Sequence, residues 1–131
     1  MSQPLRLRVL STRYGICQLA ADAELPPWAA GNLTAMVRTP DELSIVCPQE
    51  GIPGTVRCSE CWRCLRVVGP LDFTLVGIIA GLTSLLAEAG ISVFVFSSFD
   101  TDFLLVQENA LQSAVDCLQE AGHLIEWCGD W

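Results

Sequence analysis

Hydrophobic residues between positions 75 and 86 recur at the spacing of one face of an α-helix. They are Leu75, Ile78, Ile79, Leu82, Leu85 and Leu86. A turn at Gly69-Pro70-Leu71-Asp72 precedes this pattern, and Gly90 follows it at the position where a left-handed C′ residue ends many helices. Ile91 to Phe96 is an apolar, β-branched and aromatic run of strand length. The pattern therefore predicts a turn, a helix and a buried strand.

The same order recurs towards the end of the chain. A polar turn over residues 98–102 leads into a predicted strand at Phe103 to Gln107, and the helix that follows has an apolar face of Leu111, Ala114, Val115 and Leu118. That helix ends at Glu120-Ala121-Gly122, and His123 to Trp127 predicts a last strand. With a strand at Trp62 to Val68, the second half of the chain has the ferredoxin-like βαββαβ order of an α+β fold, with two helices on one face of a sheet.

The first part of the chain is predicted to be mainly strands. Alternating apolar positions predict one strand at Leu5 to Leu10, and a second follows at Gly15 to Ala20 after a turn at Ser11 to Tyr14. A hairpin joins residues 33–38 to residues 43–47 through a turn at residues 39–42. We place a soft boundary in the glycine- and proline-containing connector that follows, and expect two domains, residues 1–56 and 57–131.

Composition limits the classes of protein that fit. The chain is 51% hydrophobic and 17% charged, which excludes a disordered polymer, and its net charge of −8 argues against nucleic acid or an anionic membrane as a partner. The uncharged run from Phe73 to Ala87 is shorter than the roughly 18–20 residues of a membrane span. Because no signal-peptide pattern is visible either, we expect a cytoplasmic protein with mostly reduced cysteines.

Several segments resemble one protein family. A loop at Gly69 to Phe73 opens a helix, "LLAEAGIS" (85–92) closes it, "VFSSFDTDFLLV" (95–106) forms a hairpin and "CLQEAGH" (117–123) ends the last helix. These are similar to the ACT domain, a small regulatory βαββαβ module that binds amino acids. Together with "TPDELSIVCP" (39–48), they resemble short bacterial tandem-ACT proteins related to the regulatory region of aspartate kinases and to arginine-sensing ACT proteins. The resemblance implies an ACT domain preceded by a reduced, mainly β ACT-like unit, with allosteric regulation and no cofactor.

The resemblance also implies where a ligand binds. By position, the candidate residues are Gly69, Leu71, Asp72, Phe73 and Thr74 on the loop and Ser98, Phe99, Asp100 and Thr101 on the hairpin tip. Backbone N–H groups at a helix N-terminus suit an α-carboxylate, and a tip carboxylate from Asp100 or Asp102 suits an α-ammonium group. Structural alternatives remain open: Asp72 as a helix N-cap, the two phenylalanines as core or rim residues, and the tip aspartates as ordinary turn residues.

Small residues on the back of the first predicted helix, at Gly77, Gly81 and Ser84, suggest close approach by another helix or subunit, because glycine costs about 1 kcal/mol relative to alanine inside a helix. Unpaired edge strands in so small a sheet also favour pairing between chains. We therefore expect a homodimer.

Cysteines provide the main alternative chemistry. Cys58, Cys61 and Cys64 have a spacing that can ligate zinc or an iron–sulfur cluster, but in a regular strand Cys61 and Cys64 point to opposite faces. We therefore expect no metal. His123, the only histidine, follows a helix C-terminus, where a cation is favoured. Without a recognisable catalytic motif, the sequence predicts a non-catalytic module that binds an amino acid or similar small molecule. The alternatives are a structural or protein-interaction module without a ligand and a cysteine-based metal or redox protein.

Overall fold

The structure is a computed structural model that describes residues 4–70 and 76–131. Within these ranges it contains β1 (Arg6–Leu19), β2 (Ala35–Arg38), β3 (Leu43–Pro48), β4 (Arg57–Val67), α1 (Ile78–Glu88), β5 (Val93–Ser97), β6 (Asp102–Gln107), α2 (Leu111–Glu120) and β7 (Leu124–Trp127). Short 3₁₀ turns lie at Gln49–Gly51 and Glu108–Ala110. The predicted α+β class is confirmed.

The chain forms two compact units. We call unit 1 the described residues of ranges 4–11 and 63–129 with Trp131, and unit 2 residues 12–62 with Asp130. The strands β1 and β4 contribute residues to both units. The division into two domains, residues 1–56 and 57–131, stays a prediction. Residues 4–11 belong to unit 1, which contains both helices.

Unit 1 contains a sheet with the strand order β7–β1–β4–β6–β5. The strands β5 and β6 form an antiparallel hairpin in which Ser97 lies opposite Asp102. The strand β7 runs parallel to β1, with Arg6 opposite Leu124. The first residues of β1 therefore lie between β4 and β7. The alternating pattern of residues 5–10 predicts a strand, but it does not identify that strand's neighbours.

Both helices of unit 1 pack on one face of its sheet. The helical residues of this core are Leu82 and Leu86 of α1 with Leu111, Ala114, Val115 and Leu118 of α2, and the strands contribute Leu7, Val9, Leu65, Val67, Leu104 and Val106. Each of these residues is at most 5% exposed. Fully burying a leucine or valine side chain stabilises a fold by about 1.5–3 kcal/mol. Burial of Leu7 and Val9 therefore holds the start of β1 in this unit.

The two helices end in the same way. Gly90 and Gly122 have φ angles of +74° and +99°, which glycine adopts without steric cost. The N–H group of Ile91 donates to the Leu86 carbonyl at 2.9 Å, and the N–H group of His123 donates to the Leu118 carbonyl at 3.1 Å. These are Schellman motifs, so both Glu-Ala-Gly segments end their helices as predicted.

Unit 2 contains the strand order β2–β3–β1–β4. The hairpin predicted across residues 39–42 is confirmed, with Arg38 opposite Leu43. The turn predicted at Ser11 to Tyr14 is wrong, because β1 continues through it. Tyr14 pairs with Pro48 of β3, and its buried ring directs the hydroxyl group towards Asn32 Oδ1, which accepts a hydrogen bond at 2.9 Å. The cross-strand partner and the buried ring hold Tyr14 in an extended conformation.

Candidate ligand-binding site

The predicted site lies in unit 1, where the chain leaves β4 and where the β5–β6 hairpin turns. Four of its nine residues, Leu71 to Thr74, lie outside the described residues. The other five are Gly69, Ser98, Phe99, Asp100 and Thr101. Gly69 is exposed and follows β4 by two residues. The ligand contacts predicted for these nine residues stay predictions.

A hydrogen bond holds the hairpin tip against the end of β4. Thr101 Oγ1 donates a hydrogen bond to the Val67 carbonyl at 2.6 Å, and both residues are buried. Inside the tip, the Ser98 N–H group donates to the Thr101 carbonyl at 2.8 Å. The Thr101 N–H group donates to Ser98 Oγ at 3.3 Å. The structure therefore brings residues 98–101 next to the strand end from which the predicted binding loop departs.

The four tip residues differ in what they present to solvent. Ser98, Phe99 and Asp100 are exposed, and Phe99 is 79% exposed. Thr101 is buried, and its hydroxyl group donates a hydrogen bond to a carbonyl of β4. Asp102, at the base of the tip, accepts a hydrogen bond from Ser97 Oγ at 2.5 Å. Asp100 is therefore the carboxylate of the tip most open to a ligand, and Thr101 holds the tip in place.

The start of α1 differs from the prediction. The apolar pattern begins at Leu75, but the helix begins at Ile78, with Gly77 as its N-cap at φ +79°. Asp72, the alternative N-cap, lies outside the described residues. Among the described residues, no side chain forms a capping hydrogen bond at this N-terminus, and the first turn contains no acidic residue. The N-cap residue and the first turn therefore supply no anionic side chain to the positive end of the helix dipole, an arrangement that suits a carboxylate.

The back of α1 shows no close approach within the described part of the chain. A Cβ atom built at Gly81 or at Gly77 meets nothing within 4 Å. Packing within the described residues therefore does not account for Gly81, whereas the φ angle of +79° at Gly77 itself favours glycine. The subunit contact predicted from them stays a prediction.

The three cysteines of the alternative metal site have different environments. Cys64 is fully buried in unit 1, and burial raises the pKa of its thiol to about 12, against the opposing effect of Arg66. Cys58 and Cys61 are half-buried residues of unit 2. Cys61 has a φ angle of +64°, so the alternation of side chains between the two faces of a regular strand does not apply at this residue. Across residues 4–70 and 76–131, no group of three or more histidine, cysteine, aspartate or glutamate side chains is placed to hold a metal ion.

His123 has a different role from the one predicted. Its Nδ1 atom accepts a hydrogen bond from the Leu5 N–H group at 3.0 Å, so the ring is neutral at that nitrogen. Burial lowers the pKa of His123, because the charged form loses hydration. The interpretation as a cation at a helix C-terminus is therefore wrong. The imidazole connects the start of β7 to the residue before β1.

Sequence patterns also missed an interaction between a cation and an aromatic ring in unit 1. The guanidinium carbon of Arg66 lies 4.4 Å from the centre of the Trp131 ring, and that ring lies 6.1 Å from the ring of Phe103. An arginine over tryptophan is attractive by about 0.5–2 kcal/mol. Arg66 alternates with Leu65 and Val67, which marks it as facing away from the helices, but no local pattern indicates Trp131 as its partner.

Comparison with known proteins identifies the class. A family model described as ACT domain matches residues 57–120, and a second model, of an N-terminal domain, matches residues 12–55. Residues 57–120 therefore belong to the ACT domain family, as the sequence predicts. No helix in the described ranges is long and apolar enough to cross a membrane.

Three relatives illustrate the range of similarity. A solved protein of Agobacterium tumefaciens is 40% identical, with a TM-score of 0.91, and the match covers 97% of this chain and 96% of that one. The cytosolic arginine sensor for mTORC1 subunit 1 of Homo sapiens is 39% identical over 66 residues, which are 50% of this chain and 20% of the sensor. The regulatory subunit of aspartate kinase from Thermus flavus has a TM-score of 0.64 at 10% identity, with coverage of 91% and 99%, and it shows the fold alone.

Proposed function

We propose that this chain is a non-catalytic, cytoplasmic regulatory module that binds an amino acid at the loop of residues 69–74 and the hairpin tip of residues 98–101. The observation that carries the proposal is that this loop connects the end of β4 to the N-terminus of α1. It follows β4, to whose end Thr101 holds the tip by a hydrogen bond, and it precedes α1, whose N-cap is Gly77 and whose first turn contains no acidic residue. Membership of the ACT domain family and the match to a cytosolic arginine sensor support the same role.

The two ends of an α-amino acid have partners of opposite charge in this proposal. The α-carboxylate accepts hydrogen bonds from backbone N–H groups of the loop and of the first turn of α1, where the helix dipole is positive. The α-ammonium group pairs with the exposed carboxylate of Asp100. A chain with a net charge of −8 also attracts cationic ligands, and one relative is an arginine sensor, so arginine is the first ligand to test.

A thermal-shift screen of the purified chain against the twenty amino acids tests the proposal. A ligand that binds only the folded state stabilises it, by about 2.7 kcal/mol at a concentration of 100 Kd. We expect a selective increase in melting temperature with one amino acid or a small group of related ones. The amine that lacks the α-carboxylate and the acid that lacks the α-amino group should each be weaker ligands. No shift with any amino acid at millimolar concentration would contradict amino-acid binding.

A matched pair of variants tests the position of the site. Asp100→Asn removes the tip charge, and we expect at least tenfold weaker binding, because hydrogen bonds to charged groups contribute about 1.5–3 kcal/mol. Asp41→Asn is the control, since Asp41 is also an exposed aspartate in a hairpin turn but belongs to unit 2. Equal binding by both variants would leave amino-acid binding intact and remove Asp100 from the site.

A protein-interaction role through a homodimer is the second candidate, and the edge strand β2 supports it. Met36 and Val37 on β2 are 49% and 60% exposed, and β2 is the last strand of its sheet. Unprotected edge strands with exposed apolar residues favour pairing with another chain. Sedimentation velocity should show a dimer that Val37→Lys weakens. A monomer at high micromolar concentration would contradict this candidate.

A further inference from the structure

Three cysteines of unit 2 share one face of its sheet around Gly15. Cys17 lies two residues beyond Gly15 on β1, so their Cβ positions face the same side, and Cys47 of β3 lies directly opposite Gly15. A Cβ atom built at Gly15 would lie 2.7 Å from the Sγ atom of Cys58 on β4. The sulfur of Cys58 therefore occupies the space that a side chain at residue 15 would fill, beside the other two cysteines.

Within this group, Cys17 and Cys58 are neighbours that line the same cavity. Cys58 packs against the buried cluster that contains Cys17 and Cys47, and its thiol donates a hydrogen bond to the carbonyl oxygen of Ser59 at 3.5 Å. Both cysteines have free thiols in the structure. Two thiols that pack together on neighbouring strands need only a local movement to become covalently linked.

Access from solvent differs sharply between the three sulfurs. Cys17 and Cys47 are 1% and 0% exposed, whereas Cys58 is half-buried. Cys58 lines a cavity of about 260 Å³, together with Cys17, Gln18, Arg57 and Ser59. A water molecule takes about 30 Å³ in the liquid, so a small peroxide fits in this space. A soluble oxidant therefore reaches Cys58 before it reaches the two buried cysteines.

We propose that Cys17 and Cys58 form a peroxide-sensitive thiol pair that closes to an intramolecular disulfide between β1 and β4. The Cys58 sulfur attacks one oxygen of hydrogen peroxide, the O–O bond breaks, and the products are a sulfenic acid on Cys58 and one water molecule. The Cys17 sulfur then attacks the Cys58 sulfur and displaces the hydroxyl group. This group leaves as a second water molecule, with the proton from Cys17. Two thiols and one peroxide give one disulfide and two water molecules, so the two electrons lost by sulfur reduce the peroxide.

The second step is expected to be the slower one. Burial, followed by the hydrogen bond to Cys58, raises the pKa of Cys17 to about 12, so this residue is a neutral thiol until the sulfenic acid forms beside it. Burial also raises the pKa of Cys47 to about 11. Cys17 is the resolving residue rather than Cys47 because it lines the cavity with Cys58 and lies on β1, the strand next to β4, whereas Cys47 lies on β3.

Mass spectrometry of the full chain tests this pair. The protein is treated with hydrogen peroxide and then unfolded in denaturant, its remaining thiols are alkylated with N-ethylmaleimide, and intact masses and non-reduced peptides are measured. We expect two fewer alkylated thiols than in the reduced protein, a peptide pair linking residues 17 and 58, and full reversal by dithiothreitol. Alkylation of both Cys17 and Cys58 after peroxide treatment, or a disulfide that joins Cys58 to Cys47, would overturn the proposal.

Three variants sharpen the result. Cys17→Ser should stop the reaction at the sulfenic acid of Cys58, which dimedone traps. Cys58→Ser should protect Cys17 from peroxide. Cys128→Ser is the matched control, because Cys128 is also half-buried but belongs to unit 1, and it should form the 17–58 disulfide at the wild-type rate. The wild-type experiment decides the question even if one of the variants fails to fold.

Discussion

The hydrogen bond between Thr101 and the end of β4 gives a sharp prediction, because it can be removed without changing the shape of the side chain. Thr101→Val replaces the hydroxyl group with a methyl group. The bond length is 2.6 Å, Thr101 is 7% exposed and Val67 is fully buried, so water has little access to the carbonyl that loses its partner. The substitution therefore removes a hydrogen bond and leaves a buried acceptor unsatisfied.

The magnitude follows from these two effects. A typical hydrogen bond contributes about 0.5–1.5 kcal/mol, and an unsatisfied buried group costs about 1–3 kcal/mol, so we expect Thr101→Val to reduce the free energy of unfolding by about 2 kcal/mol. For a chain of this size that is a decrease in Tm of roughly 8 °C. Thr101→Ser is the matched control, because it keeps the hydroxyl group and loses one methyl group, at about 0.8 kcal/mol.

Urea unfolding of the three proteins measures the effect, with the midpoint and the m value fitted separately. We expect Thr101→Val to be less stable than Thr101→Ser by about 1 kcal/mol or more, with an unchanged m value. If valine at residue 101 proves as stable as serine, loss of this hydrogen bond costs no more than loss of one methyl group, and the explanation is contradicted. If the tip forms part of the binding site, Thr101→Val should also weaken ligand binding more than Thr101→Ser does, because the tip is no longer held beside the loop.

Three further predictions follow from other parts of the fold. Gly15→Ala should destabilise the chain by about 1–3 kcal/mol in urea unfolding, because the new Cβ would lie 2.4 Å from Ile52 Cδ1 and 2.7 Å from Cys58 Sγ. Adding Ile52→Ala should restore part of this loss. Equal stability of the single and double variants would contradict this packing. Gly90→Ala should cost about 1 kcal/mol from backbone strain alone, since φ is +74° and the added Cβ meets nothing within 4 Å, so a neutral result by differential scanning calorimetry would argue against the Schellman geometry. Burial lowers the folded-state pKa of His123, so the stabilisation from its neutral form is present above the unfolded-state pKa of about 6.5 and is lost as the pH falls through the folded-state pKa. His123→Gln should flatten this part of the curve of unfolding free energy against pH. Identical pH profiles for the two proteins would exclude the effect.

Much of unit 1 is predictable from local sequence. The apolar stripes of α1 and α2 place Leu82, Leu86 and Leu118 in the core, and the two glycines after the helices adopt the left-handed conformation that their position predicts. These features depend on residues within a few positions of each other. Periodicity and terminating residues are therefore enough to find them.

Features that depend on long-range contacts were not predictable in the same way. The turn predicted at Ser11 to Tyr14 is an uninterrupted part of β1, because Tyr14 is held by its partner strand and by Asn32. The placement of residues 6–9 beside β7 depends on contacts with residues more than 115 positions away. Local patterns contain no information about such partners.

The candidate site was predictable only in outline. The sequence gives the position of the hairpin tip, but an aspartate or threonine in a turn has the same local pattern whether it binds a ligand, decorates the turn or holds the tip. The structure distinguishes the buried, engaged Thr101 from the exposed Asp100. The proximity of Cys17 and Cys58 was also missed, since it depends on the pairing of β1 with β4.

The most direct test of amino-acid binding at this site is a nuclear magnetic resonance titration of the ¹⁵N-labelled chain with arginine and with any other amino acid that raises its melting temperature. We expect saturable changes in the backbone amide signals of residues 69–78 and 98–101, with smaller changes in Asp100→Asn at the same ligand concentration. Saturable changes confined to unit 2 would contradict the proposed position of the site. The absence of any change at millimolar ligand would contradict amino-acid binding itself.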